Sequence, residues 1–321
     1  MESPQTVTTN SKQHIIAVGG AKGGVGKSLI AANIGVYLAS RGNRTVLMDL
    51  DLGAANLHLY LGVWALKHRI NDYLDKKVDD LESIAVETEH GPAIIGGGSS
   101  RLGSANLPYT QKLKLIRAIR RMDADYIILD LGGDTSYNIL DFFLLSQTGI
   151  VLTTCDPAAY LDAYTFIKMA LYRRLARLFG AESAYRRFKD ERLQHIIRSF
   201  LNPSHTQSPR YVSDLLEQIS LHAPEGRALV EKTVTEFQPK LIVNMVQGKR
   251  EVRDLIQRMQ TVALRMLSVP IECVGKLAVD PDIAKSTHDL IPEVARHPDG
   301  AMAQCIAEML KCLPDHLKEA A

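Results

Sequence analysis

One stretch constrains this chain more than any other. HIIAVGG, from His14 to Gly20, is apolar and rich in β-branched residues, as a buried strand should be. AKGGVGKS follows, and then SLIAANIGVYLASRG. That last run sets Leu29, Ala32, Ile34, Val36 and Leu38 on a broad apolar surface and meets a helix stop at Gly42. Strand, glycine loop and helix form the context in which a loop wraps a phosphate. Glycines let successive N–H groups turn inward on an anion, and the helix N-terminus adds partial positive charge. Gly23, Gly24, Val25, Gly26, Lys27, Ser28 and Leu29 are the expected cradle, with Lys27 reaching the β- and γ-phosphates and Ser28 ligating Mg²⁺. The competing reading, a glycine turn that binds nothing, is disfavoured by G-K-S in this setting. The pattern G-x-x-x-x-G-K-[ST] has one departure, Ala21 where it asks for glycine. A second lysine, Lys22, is more than a phosphate cradle needs.

Carboxylates recur where an open α/β sheet binds ligands, at the carboxyl ends of strands. Thr45 to Leu50 reads as a second strand carrying Asp49, with Asp51 already in the loop beyond it. Tyr126 to Leu129 is an apolar strand ending at Asp130, the pattern of a carboxylate that holds Mg²⁺ through water. Gly132 and Gly133 follow as a loop suited to sensing a γ-phosphate. Asp134 reads as the cap of a helix starting near Thr135. Further strands are expected at residues 149–157, 240–246 and 272–280, each followed by a helical pattern. Such alternation predicts an α/β fold, a doubly wound and mostly parallel sheet flanked by helices.

The pattern runs from His14 to about Lys311 without a linker-like break, so residues 14–321 are expected to form one domain behind a disordered tail, residues 1–13. Hydrophobic content of 46% and a formal net charge of +2 fit a soluble globular chain. The four cysteines lack the spacing of a metal site or disulfide framework. No signal peptide and no apolar run of membrane-spanning length is visible, so a cytoplasmic protein is expected, peripheral at most to a membrane or nucleoid. The tail DHLKEAA after Pro314 has one large apolar residue, too little to hold a bilayer unaided.

K-G-G-V-G-K-S, Lys22 to Ser28, resembles the deviant Walker A motif of the MinD/ParA family of P-loop ATPases, some members of which also lack the preceding glycine. The resemblance implies that Lys22 reaches across an ATP-bound homodimer to the partner's phosphates, an arginine-finger logic. The alternative is a solvated loop lysine. DLDLGAANL, Asp49 to Leu57, resembles the family's switch I, D-x-D-x-x-x-x-N-L. It implies that Asp51 orients the attacking water and Asp49 holds a water on Mg²⁺; the alternative for Asp51 is a turn cap. Asn244 matches the position that hydrogen-bonds adenine, and Ala278–Pro281, with Val279 and Asp280, matches the loop against the base. A strand-terminal turn residue is the alternative for Asn244.

DPAAYLDAYTFIKMAL and VDPDIAKST, with the switch I stretch, are most similar to the FlhG/FleN branch, MinD-like regulators of flagellar number and placement. The resemblance implies a slow ATPase, stimulated by a protein activator, that positions a flagellum, division site or chromosome. A DNA-tethered ParA-type partitioning ATPase is one alternative. An iron–sulfur carrier of the Mrp type is another, but it needs paired cysteines that this chain lacks. Residues 171–236 lie outside the resemblance and read as a helical insertion. Its first half is basic, with Arg173, Arg174, Arg177, Arg186, Arg187, Lys189, Arg192 and Arg198. Segment 173–198 is therefore a possible dock for nonspecific DNA or acidic lipid, against the plainer readings of a solvated helix face or a protein-binding surface.

Overall fold

The computed structural model describes residues 13–20, 22–98, 107–180, 183, 185, 190–202 and 211–312. In chain order the elements begin with β1 (His14–Gly19), α1 (Lys27–Ser40), β2 (Thr45–Asp49), α2 (Ile70–Leu74), β3 (Val86–Glu87) and β4 (Ala93–Ile95). They continue with α3 (Tyr109–Ile119), β5 (Tyr126–Asp130), α4 (Tyr137–Phe143), β6 (Thr148–Thr153) and α5 (Pro157–Ala176). Next come α6 (Glu191–Leu201), α7 (Val212–His222), α8 (Arg227–Thr235), β7 (Lys240–Val246) and α9 (Lys249–Leu267). The last are β8 (Glu272–Ala278), α10 (Pro281–His288), α11 (Glu293–Arg296) and α12 (Ala301–Lys311).

Among the described residues, eight strands make one sheet in the order β3-β4-β2-β5-β1-β6-β7-β8. Every pairing is parallel except β3 with β4. β1 lies between β5 and β6, so the loop after it opens at the centre of the sheet's carboxyl edge. The reason for an unbroken apolar run in β1 is visible in its packing. Ile15 and Ala17 enter a core with α3, α4, α5 and α9, while Ile16 and Val18 enter a second core with α1 and α12. Both faces are covered, so period-two polarity never appears. Each such isoleucine, at most 2% exposed, contributes about 2 kcal/mol of transfer free energy. α1 is buried nearly all round, and its Asn33 donates to Leu29 O and accepts from Val294 N, which fastens α11 to it.

Several expectations shift. β3 and β4 went unread because strands of two and three residues carry no usable period. α5 continues through Ala176, and the α-helices among the described residues between it and β7 are α6, α7 and α8. Gln13, assigned to the tail, donates to Ile119 O and Met122 O. Asp134 is not the cap of α4. Ser136 holds that position and its hydroxyl accepts from Ile139 N, while Asp134 accepts from Ser136 N just before it. Ala21, residues 1–12 and residues 313–321 lie outside the described residues.

Candidate functional site

The loop after β1 turns through Gly24 at φ 77° and Gly26 at φ 95°, both left-handed, and delivers Lys27 as the first residue of α1. A Cβ on Gly26 would sit 2.5 Å from Asn244 Nδ2, so glycine is required there on steric as well as conformational grounds. Lys27 is buried and donates to the Lys22 carbonyl at 3.0 Å. Burial depresses its pKa, and Asp130, Asp51 and Asp134 act in the opposite sense. Lys22 points elsewhere. Its Nζ lies 2.5 Å from Asp156 Oδ2, a half-exposed pair at the start of α5, and Asp156 also caps that helix by accepting from Ala158 N.

The carboxylates divide their tasks. Asp49 is buried and accepts from Asp51 N at 3.1 Å and from Leu57 N at 3.0 Å, so it folds the 51–57 loop onto the end of β2. Burial raises its pKa to about 6. Asp130, its register partner on β5, is 1% exposed. Burial, then the nearby Asp49, pushes its pKa well up, partly offset by a hydrogen bond with Ser28. Asp130 Oδ1 has no hydrogen-bond partner among the described residues. An orphaned, buried carboxylate oxygen beside a serine hydroxyl is a donor set that fits a hard divalent cation such as Mg²⁺. Asp51 caps a turn through Ala54 N at 3.2 Å and also lines the cavity. A Cβ on Gly132 would lie 3.4 Å from the Asp51 carboxyl, and one on Gly133 would lie 3.2 Å from Gly23 N and 3.3 Å from Lys27 Nζ. This glycine pair therefore touches both the phosphate loop and the acid that faces it.

These elements enclose a cavity of about 700 Å³, the size of a nucleotide pocket. Gly23, Gly24, Gly26, Lys27, Ser28, Leu29, Asp51, Asn244, Val279 and Asp280 line it; Val25 is buried behind. Asn244 is committed to the loop: its Nδ2 donates to Val25 O at 2.9 Å, and its Oδ1 accepts from Met245 N at 2.9 Å. One N–H of that amide remains for another acceptor. Asp280 caps α10 through Asp282 N, which turns Ile283 and Thr287 towards the cavity. Asn56, Tyr60, Ile283 and Thr287 line it too and were not singled out from sequence. Only Asn56 had a signal, as the asparagine of D-x-D-x-x-x-x-N-L. The others arrive from a turn and a helix that the fold alone brings there.

The sequence from residue 16 to residue 292 matches the CobQ/CobB/MinD/ParA nucleotide-binding domain. The chain belongs to this family. Among its relatives, the antiactivator FleN of Pseudomonas aeruginosa is 30% identical over 158 residues, 48% of this chain and 55% of that protein. The flagellum site-determining protein YlxH of Helicobacter pylori is 32% identical over 165 residues, 48% of this chain and 52% of that protein. The chain thus spans about half the length of the curated relatives it matches. The structure of the septum site-determining protein MinD from Pyrococcus horikoshii, complexed with Mg-ADP, superposes with a TM-score of 0.62 at 18% identity, over 96% of this chain and 99% of that one. A ParA family ATPase from Chlorobium tepidum superposes at 0.57 with 15% identity, over 92% and 97%. The fold expected from the motifs is the family fold.

Part of the basic segment is neutralised within the domain. Arg173 grips the buried Asp141 with Nε and Nη2, both at 2.8 Å, and Arg177 reaches the same carboxylate at 3.0 Å. Arg174 pairs with Glu236 at 3.1 Å. These three are engaged inside the domain. Arg192 and Arg198 are exposed on α6, whereas Arg186, Arg187 and Lys189 lie outside the described residues. The exposed basic face that composition passed over is α9, where Lys249, Arg250, Arg253, Arg258 and Arg265 face solvent. No helix among the described residues is long and apolar enough to cross a membrane.

Proposed function

We propose that this chain is an ATP-dependent dimerisation switch that hydrolyses ATP to ADP and phosphate and sets the placement or number of a cellular structure. A flagellum or division site is the form its relatives' names suggest. The carrying observation is the division of labour between the two lysines. Lys27 lies in the cradle, with its amine turned inward. Lys22 holds its amine outside, on Asp156 at the rim. A single chain thus leaves the second cation pointing away from its own phosphates. A second subunit facing the cavity would draw Lys22 off Asp156 and onto the partner's nucleotide, and the homodimer would form only when ATP is bound.

Within one subunit the loop amides and Lys27 would bind and orient the phosphates, and Asn244, Val279 and Asp280 would flank the base. Asp51 has a carboxylate oxygen beyond the one engaged by Ala54, available to orient a water. Ser28 and Asp130 would hold Mg²⁺, with Asp49 behind them, and the ion would supply charge to screen the phosphates. Gly132 and Gly133 would report the γ-phosphate to the dimer face. A protein activator fits an ATPase whose second lysine is parked. If the switch docks on an acidic lipid or nucleoid surface in the cytoplasm, α6 and α9 carry the exposed cations, and the arginines of α5 do not.

Lys22→Ala tests the reading. It is expected to bind ATP with ordinary affinity and lose stimulated turnover. Mixing it with Asp51→Ala should restore part of that turnover in mixed dimers. Undiminished hydrolysis by Lys22→Ala alone would sink the proposal. Asp51→Ala should accumulate as a dimer with ATP by light scattering, because blocked turnover leaves the tighter state populated.

A further inference from the structure

A second cavity, of about 440 Å³, lies among α3, α4, α5 and α8 and shares no lining residue with the nucleotide cavity. Its wall is unusual in charge. Asp141, 2% exposed, receives Lys112 Nζ at 2.5 Å, the Arg173 fork at 2.8 Å and Arg177 at 3.0 Å. Lys112 is itself 4% exposed. Arg174, with its partner Glu236, lines the same space.

A buried carboxylate needs one good partner to avoid standing uncompensated, and the Arg173 fork alone provides bidentate neutralisation. Adding Lys112, itself buried, brings a second cation to the same group, at a cost in desolvation and mutual repulsion that neutralising Asp141 does not require. Even with Arg177 left out of the count, three cations face two carboxylates among the described lining residues. The excess is positive and it borders open space. The Arg173 guanidinium also sits over the Tyr137 ring, its Cζ 4.4 Å from the centroid, a second contact that helps to fix its position. Asp141 is saturated by four donor contacts, so it holds three cations in place while neutralising only one unit of their charge.

We propose that this cavity binds a small phosphate-bearing anion, at a site separate from the phosphate loop. Guanidinium groups match phosphate geometry, the Arg174 guanidinium is not tied to Asp141, and the volume admits more than inorganic phosphate alone. Arg174 is the residue best placed to exchange partners, because Glu236, half-exposed, is its only carboxylate contact among the described residues.

The test titrates inorganic phosphate into the full chain by calorimetry, with the phosphate loop filled by a non-hydrolysable ATP analogue and excess Mg²⁺. A phosphate site is expected under these conditions. Arg174→Gln should weaken it about tenfold, the loss of one charge-assisted hydrogen bond. Glu236→Gln, a surface change that should not perturb folding, is expected to tighten it by removing the competing carboxylate. Neither substitution should alter affinity for the ATP analogue, so failure here is distinct from failure of the nucleotide reading. Absence of any phosphate site at millimolar concentration overturns the proposal. Binding that ignores both substitutions overturns it as well. An acidic protein segment as the true occupant would show as a cavity that rejects free phosphate.

Discussion

Asn244 offers the sharpest separation between what resemblance implies and what the geometry adds. The family role is a contact with adenine, yet here the amide already ties β7 to the phosphate loop by donating to Val25 O at 2.9 Å, while its Oδ1 accepts from the adjacent Met245 N at 2.9 Å. Asn244→Ala removes both bonds at a position 4% exposed. Each is worth about 1 kcal/mol net, and a stranded buried group can cost up to about 3 kcal/mol. Met245, whose N–H is freed, lines the cavity, and the freed Val25 carbonyl faces the space that the Asn244 side chain vacates, so water can reach both and the penalty stays towards the low end, about 2 kcal/mol in total. Urea unfolding of nucleotide-free protein measures it directly. Asn244→Asp should retain the Met245 bond while setting a carboxylate against the Val25 carbonyl, and should be at least as destabilising at neutral pH. Nucleotide affinity should fall in both, because the loop loses its anchor. If nucleotide-free Asn244→Ala unfolds at the wild-type urea midpoint while nucleotide affinity drops, the anchoring argument is wrong and Asn244 acts only on the base.

Asp156→Asn retains an oxygen to cap α5 but removes the charge that parks Lys22, so ATP-dependent dimerisation should tighten by a few fold in sedimentation; unchanged or weaker dimerisation would show that the pair has no bearing on Lys22. Burial raises Asp49 to about 6 and Asp130 upward as well, so Mg²⁺, which prefers the ionised carboxylates, should displace protons on binding with nucleotide near pH 6 and few well above it. Calorimetry in buffers of different ionisation enthalpy reads that release, and a buffer-independent enthalpy at pH 6 would contradict it. Burial alone would raise Asp141, but Arg173 and Lys112 outweigh it and hold the pKa below the usual carboxylate range. Its stabilising effect is therefore complete above the unfolded value of about 3.9 and fades as pH falls below that, so Asp141→Asn should flatten the acid limb of the stability curve. Charge reversal at Arg250, Arg253 and Arg258 on α9 should abolish low-salt retention on DNA or acidic vesicles more effectively than reversal at Arg192 and Arg198, and the opposite order would return the electrostatic surface to α6.

The sequence by itself determined the parts whose chemistry is local. The strand–glycine loop–helix unit, the acids at the ends of β2 and β5 and the six longer strands could all be read because each depends on neighbours within a few residues. Hydrophobic runs, φ-permissive glycines and chain-adjacent G-K-S need no tertiary partner to be recognised. Whatever depends on contacts across the chain was decided by the tertiary structure. Asn244 meets Val25 across 219 positions, and Lys22 meets Asp156 across 134. The arginines of α5 looked like a solvated basic stripe until packing placed Asp141, some 32 residues earlier in the chain, beneath Arg173. Net charge along a segment is additive in sequence, but the field at a surface depends on which charges are neutralised by groups from elsewhere. For the same reason the exposed cations of α9 and the closely packed positive cluster around Asp141 became visible only once the helices were laid against the sheet.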